Sequence, residues 1–220
     1  MKLSIVVLVS VASLCLPASG AVIISQYYEG SSNNKWIELY NTSSTDVDLS
    51  AANYQLGLWS NGNREKWKDG TAPDNHLALS GVISGNGVYL LSHGSASKPN
   101  YATADQTSNG TINFNGNDSV VLYTGTTYSY ANVVDAFGLT GETAKDTSFV
   151  RNADILSGTN SDFDSGEWTE FTIAQVDGAS SSSSEYLGTH VVPEPSSLLP
   201  LFALTFLGLF QRRRPGKVLG

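Results

Sequence analysis

Two short runs near the start of the chain constrain its fold most. Val22–Tyr28 and Lys35–Tyr40 are rich in β-branched and aromatic residues, and Gly30–Asn34 between them consists of residues that suit turns. This order predicts a β-hairpin. In the second run Ile37 and Leu39 alternate with aromatic rings and a carboxylate, so the aliphatic side chains share one face. We expect that face to pack on a second sheet and the strand to be half-buried.

Similar runs recur along the chain, and clusters of Asn, Gly, Asp and Ser separate nearly all of them. No helical periodicity of useful length occurs between Ala21 and His190, which predicts an all-β sandwich of about seven to nine strands. Beyond the hairpin, the predicted strands are Tyr54–Trp59, Arg64–Lys68, His76–Leu79, Gly87–Leu91, Ser119–Thr124, Tyr128–Phe137, Thr147–Arg151 and Trp168–Ile173.

The N-terminus has the pattern of an exported protein. Lys2 precedes an apolar run, and small residues at Ala18 and Gly20 predict that residues 1–20 form a signal helix cleaved between Gly20 and Ala21. A retained membrane anchor is the alternative. The one thiol, Cys15, lies inside this run, so the mature domain holds neither a disulfide nor a cysteine-ligated metal.

The remaining chain divides by composition. Residues 21–178 have the length of one domain, and 179–192 form a Ser-rich loop and a final segment. The 7 basic and 19 acidic residues between Ala21 and Val192 give this part a net charge of −12. Such a surface repels polyanions at long range, which disfavours general binding of nucleic acid.

One basic stripe interrupts the acidic domain. Arg64, Lys66 and Lys68 alternate with other residues, so a strand through them would place three cations on one face. The stripe would bind an acidic polysaccharide or a phosphate backbone, with Trp59 or Trp67 as a stacking surface. The favoured interpretation is instead an edge strand whose charges prevent aggregation between sheets.

Two acidic segments suggest metal binding. Asn160, Asp162 and Asp164 are spaced by two, and their oxygens could converge on calcium, but the complete order of a calcium-binding loop is missing. A solvated turn before the Trp168 strand is the favoured interpretation. Asp46 and Asp48 form a second, weaker calcium candidate, for which a solvated turn is likewise favoured. We predict neither a metal site nor a cofactor, and calcium is the alternative at these positions.

The sequence contains no recognisable catalytic motif. The histidines are His76, His93 and His190, and none has a second histidine or a carboxylate at a ligand spacing. Patterns typical of serine hydrolases, zinc peptidases and phosphate-binding loops do not occur. We therefore predict no catalytic residues and no enzymatic activity, with a triad assembled from distant positions as the open alternative.

A set of segments follows in one order across nearly the whole mature chain: Val22–Ser25, Glu29–Asn41, Asp48–Ser50, Asn115–Tyr123, Val133–Gly138, Ser148–Arg151 and Phe163–Trp168. Their succession resembles that of bacterial lamin tail domains. The resemblance implies an immunoglobulin-like β-sandwich that serves as a binding or architectural module, a type often found beside secreted nucleases and phosphatases. No catalytic residues accompany this pattern.

The C-terminus carries a second resemblance. Pro193, Glu194 and Pro195 precede a short apolar helix, Leu198–Phe210, and then Arg212, Arg213 and Arg214. As a helix of roughly 20 Å the run is short for a bilayer core of about 30 Å, and the arginines favour the cytoplasmic side. The order resembles a PEP-CTERM sorting signal at 193–214, followed by a cytoplasmic tail at 215–220. An ordinary C-terminal membrane anchor is the alternative.

The PEP-CTERM resemblance implies cleavage by an exosortase in a Gram-negative bacterium that produces exopolysaccharide. The C-terminal segment would anchor the protein in the membrane, either transiently before cleavage or permanently. Signal peptidase and exosortase are thus the expected processing partners. We predict a secreted, non-enzymatic module of the cell envelope or extracellular matrix, which acts in adhesion or contacts exopolysaccharide or cell-surface components. A small extracellular hydrolase of the nuclease or phosphoesterase type and a carbohydrate-binding module are the alternatives.

Overall fold

The computed structural model describes residues 22–138, 144–178 and 187–190 of the 220-residue chain. Two antiparallel-rich sheets form a β-sandwich, which confirms the predicted fold class. The strands are β1 (Val22–Glu29), β2 (Lys35–Asn41), β3 (Val47–Asp48), β4 (Tyr54–Trp59), β5 (Asn75–Ala78), β6 (Val82–Ile83), β7 (Val88–Ser92), β8 (Gln106–Thr107), β9 (Ser119–Thr124), β10 (Val133–Phe137), β11 (Thr147–Arg151) and β12 (Trp168–Thr172), and one short helix, α1 (Ile173–Asp177), follows in the described residues.

The strand order places the hairpin in the middle of the larger sheet. This six-stranded sheet runs β12-β11-β1-β2-β7-β8, the four-stranded sheet runs β10-β9-β4-β5, and β3 and β6 form a separate pair. β1 and β2 are antiparallel, and the register joins Glu29 to Lys35 across the predicted turn. The hairpin prediction is confirmed.

The core lies between the two sheets, where the alternation in the sequence predicts it. Ile37 and Leu39 of β2 and Leu56 and Leu122 of the opposite sheet are 0% exposed and belong to one apolar cluster. Tyr27 also lies in this layer, with its ring stacked on a phenylalanine of β10 at a centroid distance of 4.2 Å. Burial of these side chains provides the main driving force that holds the sheets together.

The prediction of a half-buried hairpin strand is wrong, because the outer face of β2 is covered as well. The exposed fractions of Trp36, Glu38 and Tyr40 are 4%, 1% and 3%. The helix α1 and residues 187–190 pack on this face and form a second apolar cluster. The alternation of side chains predicts which residues share a face of a strand. It does not indicate whether a distant segment of the chain packs on that face.

The predicted strand Arg64–Lys68 is also wrong. The chain forms two 3₁₀ turns at Asn61–Asn63 and Lys66–Asp69, and the second ends at Gly70 with a φ of 77°. A lone apolar side chain among polar turn residues cannot support the half-buried strand that an alternating pattern would require. The reading of this segment as a protective edge strand therefore fails too.

Other strands agree closely with the sequence. β4, β9 and β11 have the predicted bounds, whereas β10 begins later than predicted because Tyr130–Asn132 forms a 3₁₀ turn. The edges of the sheets are β12 and β8 on one and β10 and β5 on the other. Exposed polar side chains line two of these edges, namely Asn75, His76, Thr169, Glu170 and Thr172.

A buried ion pair joins the two sheets. Asp135 of β10 and Arg151 of β11 have fully buried side chains, with 3.1 Å between Oδ1 and Nη2. The other oxygen of Asp135 accepts a hydrogen bond of 2.7 Å from the Ile24 backbone N–H of β1, where the β1–β2 register shifts. Thr159 donates its N–H to Asp135 as well, and the guanidinium lies 4.4 Å from the Trp168 ring centroid. The Asp135 carboxylate therefore connects β10 to β11, to β1 and to the loop at Thr159.

Several predicted features lie outside the described residues. They include the signal peptide with its cleavage site at Gly20 and Ala21, most of the Ser-rich stretch and the sorting segment with its Pro-Glu-Pro and arginine residues. Among the residues that are described, no helix has the length and apolar character needed to cross a bilayer.

Candidate ligand-binding site

Residues 60–70 follow β4 and pack against the outer face of the four-stranded sheet. Trp67 is 4% exposed and lies in a cluster with Trp59, which is 0% exposed, and with Val121 of β9. The Trp59 indole donates to the Thr71 carbonyl at 2.9 Å, and the Tyr128 hydroxyl donates to the Trp67 carbonyl at 2.5 Å. The prediction that Trp59 or Trp67 provides a stacking surface is wrong, because both rings anchor this loop.

The three cations of this loop do not form a stripe. In a 3₁₀ turn each residue advances by about 120°, so residues two apart point in different directions. Lys68 forms an ion pair with Asp162, and its Nζ lies 5.5 Å from the Trp67 ring centroid. The Arg64 side chain is 21% exposed with its Nε 3.9 Å from Glu65, whereas Lys66 is exposed.

Arg64 instead borders an open cleft of about 430 Å³. Its other lining residues are Asn61 and Glu65 from the same loop and Asn117 from the turn before β9. The cleft thus combines a guanidinium, a carboxylate and two amides. Such groups offer many hydrogen-bond donors and acceptors in fixed planes, which suits hydroxyl-rich or carboxylated ligands.

A buried carboxylate holds the two sides of this cleft together. Asp118 is 4% exposed, and its Oδ1 accepts a hydrogen bond of 2.6 Å from the Asn61 backbone N–H. Its Oδ2 accepts one of 2.9 Å from the Asn115 N–H. The Asn117 amide also donates to the Asn61 side-chain oxygen at 3.1 Å. The cleft is therefore supported by groups that do not need a ligand to be ordered.

Sequence reasoning missed Asn61, Glu65 and Asn117 as lining residues. The only available signal was a pair of Asn-rich turns, one after β4 and one before β9. These turns meet because β4 and β9 are antiparallel neighbours with Trp59 opposite Ser119. That pairing joins positions almost sixty residues apart, and no local pattern encodes it.

The candidate calcium ligands are not brought together. Asp162 pairs with a lysine, Asp164 accepts the backbone N–H two residues later at 2.9 Å, and the Asn160 carbonyl accepts a tyrosine hydroxyl at 2.8 Å. Asp46 and Asp48 likewise accept backbone N–H groups of turns, at 3.0 and 2.9 Å. In the described ranges no three His, Cys, Asp or Glu side chains are grouped so that they could hold a metal ion.

The histidines lie in different surroundings. His76 is exposed on β5, while His93 is 8% exposed and its Nδ1 accepts the Ser95 N–H at 3.0 Å. His190 packs on the Tyr40 ring with a centroid distance of 4.7 Å. Burial, with a smaller contribution from the positive charge of an arginine, lowers the pKa of His190 to about 4. The structure does not combine any two of them into one site.

The buried acids are occupied as hydrogen-bond acceptors. Burial raises the pKa of Glu29, whose two oxygens accept from the Lys35 ammonium at 3.0 Å and from the Asp146 N–H at 3.1 Å. Burial also raises the pKa of Glu38 to about 7, and this carboxyl accepts from a serine hydroxyl and from backbone N–H groups. With Asp135, these groups stabilise the sandwich.

Comparison with known families adds to this geometry. Residues 16–141 match the Lamin Tail Domain family, and this stretch covers more than half of the chain. The chain belongs to the lamin tail domain family. The matched part ends just after β10, so β11 and β12 of this lamin tail domain complete the six-stranded sheet beyond it. Both the predicted family and its immunoglobulin-like sandwich are confirmed.

The C-terminal resemblance is confirmed as well. Residues 191–214 match the PEP-CTERM protein-sorting motif, which includes Pro193, Glu194, Pro195 and the three arginines. This motif marks a secreted protein that is processed by an exosortase and sorted to the cell envelope or the exterior. No curated protein matches the chain.

Proposed function

We propose that this lamin tail domain is a non-enzymatic adhesion or matrix-interaction module that contacts exopolysaccharide outside a Gram-negative cell. The observation that carries the proposal is the cleft lined by Asn61, Arg64, Glu65 and Asn117. It is open to solvent, polar and held by hydrogen bonds of Asp118, and it lies in a protein with an exosortase sorting motif. Fold alone would not supply this function, so the site chemistry has to do so.

The chemistry of the cleft favours a sugar polymer over a nucleic acid. Side-chain amides can donate to and accept from neighbouring hydroxyl groups, and a guanidinium binds a carboxylate in two parallel hydrogen bonds. The mature domain has a net charge of −12, which weakens long-range attraction for any highly charged polymer. We therefore expect a hydroxyl-rich polysaccharide with few carboxylates, bound through short-range contacts at Arg64 and the amides.

The three most buried acids described above support a role without catalysis by those groups. A general acid or base needs a carboxyl that can reach a substrate, with a pKa suited to proton transfer. Glu29, Glu38 and Asp135 are buried and bonded to backbone N–H groups, a hydroxyl or cations, so their oxygens are used within the fold. The competing hypothesis, a small extracellular hydrolase, has support only from the company that related domains keep.

The test is binding of the purified mature protein to the exopolysaccharide of its own organism, measured by isothermal titration calorimetry. We expect Arg64→Ala to weaken binding at least tenfold, which corresponds to about 1.4 kcal/mol. Asn61→Gly should weaken it as well, and glycine accepts the positive φ of 50° at this position. Lys98→Ala is the matched control, because it removes an exposed positive charge elsewhere.

Two results would contradict the proposal. If Arg64→Ala bound as tightly as the unmodified protein, the cleft would not be the ligand site. If the purified protein turned over polysaccharide, DNA or phosphoester substrates, the hydrolase hypothesis would replace ours. Circular dichroism and urea unfolding of each variant would separate a lost contact from a lost fold.

A further inference from the structure

Residues 187–190 lie across the outer face of the six-stranded sheet, directly before the sorting motif at 191–214. Leu187 is 1% exposed and packs in the cluster that contains Tyr28, Trp36 and Leu90. Its backbone N–H donates to the Tyr101 hydroxyl at 3.0 Å. This apolar contact places one side chain of the segment within the protein rather than on its surface.

The carboxylate of β2 binds the next two residues. Glu38 accepts a hydrogen bond of 2.6 Å from the Gly188 N–H, and the Thr189 N–H donates to it as well. Its other oxygen accepts the Ser25 hydroxyl at 2.7 Å. Glu38, in the middle of a strand, thus accepts two backbone N–H groups of the segment in addition to a hydroxyl of β1.

The last residue of the segment contacts the sheet too. The His190 ring lies 4.7 Å from the ring of Tyr40, and one of its nitrogens is buried. All four residues thus touch the outer face through a side chain or a backbone N–H. The sorting motif begins at the next residue, position 191.

The chain length makes this position consequential. Val191 and Val192 separate His190 from Pro193, so Pro193 stays within roughly 11 Å of His190 at a reach of about 3.6 Å per residue. Without the contacts of 187–190, the last described residue before the motif would be Gly178. The chain from there to Pro193 can extend to roughly 50 Å by the same measure.

We propose that the outer face of the six-stranded sheet is a docking site for residues 187–190, and that docking holds the start of the sorting motif beside the folded domain. An exosortase then meets the motif on a short tether, and only a folded sandwich can provide that tether. The inference is independent of the cleft at residues 61–65, which lies on the other sheet.

Hydrogen exchange of the full-length precursor in detergent micelles tests this docking. The Gly188 and Thr189 amides should exchange at least tenfold more slowly than in a free peptide of the same sequence. Leu187→Asp should abolish this protection, because it places a charge in the apolar cluster without altering any residue of the sheet. Glu170→Ala, which removes an exposed acid from β12 at the edge of the same sheet, should leave the protection unchanged.

A pair of substitutions at Glu38 completes the design. Glu38→Ala should release both amides to within about threefold of the free-peptide rate, whereas Glu38→Gln should keep most of the protection, since its amide oxygen still accepts an N–H. The proposal would be overturned if the Gly188 and Thr189 amides of the unmodified precursor exchanged as fast as in the free peptide. It would also be overturned if their protection from exchange persisted in Leu187→Asp. Polysaccharide binding by the same samples reports on the cleft, so failure of one proposal is distinguishable from failure of the other.

Discussion

Removal of Asp135 tests how the two sheets are joined. Its carboxylate accepts from Arg151 at 3.1 Å and from the backbone N–H groups of Ile24, Thr159 and Ala136 at 2.7, 2.9 and 3.0 Å. Asp135→Ala leaves the buried Arg151 guanidinium with only the more distant Glu167 carboxylate, 3.9 Å from its Nη2. Three backbone N–H groups also lose their acceptor. Asp135 itself is 0% exposed, so the bonds it makes are formed away from solvent.

The expected loss is large. Removal of one partner of a buried ion pair costs about 3–5 kcal/mol, and an unsatisfied buried donor costs about 1–3 kcal/mol where it cannot relax. We therefore expect the free energy of unfolding to fall by about 4 kcal/mol or more. Since small domains have about 5–15 kcal/mol in total, Asp135→Ala would remove a major part of the stability.

Urea unfolding of the purified mature protein measures this loss. With a slope of about 2 kcal/mol/M, the midpoint should shift by about 2 M. Asp162→Ala is the control, because it breaks the Lys68–Asp162 ion pair at the surface and should cost less than about 1 kcal/mol.

A double-mutant cycle with Arg151→Met should give a coupling energy of about 1–3 kcal/mol, since the methionine removes the stranded charge. If Asp135→Ala cost no more than the surface control, the role that we assign to the carboxylate would be refuted.

Two further predictions concern charge and backbone. The pKa of Glu38 is raised from 4.5 to about 7, so the folded chain keeps a proton that the unfolded chain loses. The free energy of unfolding therefore falls as pH rises from about 4.5 to about 7, by at most about 3 kcal/mol. Glu38→Gln should flatten this slope when urea unfolding is measured across the pH range. His190, with its lowered pKa, adds the opposite slope below pH 6.5 to both proteins. If the two proteins showed the same dependence of stability on pH, the effect would not come from Glu38. Gly116→Ala should lower the free energy of unfolding by at least about 2 kcal/mol, because φ is 91° and the new Cβ would overlap the Lys145 backbone. Gly70→Ala, with φ of 77° and open space around it, should cost only about 1 kcal/mol; equal losses would show that the overlap is relieved.

The fold was predictable wherever a strand shows local alternation. β4, β9 and β11 combine β-branched or aromatic residues with polar turns on both sides, so the pattern and the final structure agree. The segment at 64–68 also shows alternation, but its only apolar residue is Trp67. The segment forms 3₁₀ turns, in which the Trp67 ring is buried. Alternation of charged residues does not indicate which side chains are buried, and the predicted strand at 64–68 is wrong for this reason.

The candidate site was less predictable than the fold. Arg64 was found because it is basic, but Asn61 and Asn117 meet only through the pairing of β4 with β9. The same limit applies to Glu38, whose carboxylate faces residues about 150 positions later in the chain. Periodicity describes a strand by itself, whereas these contacts depend on which distant segment reaches it.

The polar sheet edges matter for a protein that is sorted to the cell envelope or the exterior. β5 and β12 are outermost strands, and their exposed residues include Asn75, His76, Thr169 and Glu170. Unpaired strand edges join readily to those of another molecule, and polar or charged side chains oppose such stacking. We therefore expect neighbouring copies of this domain to resist joining strand to strand through β5 and β12, even where the secreted protein is concentrated.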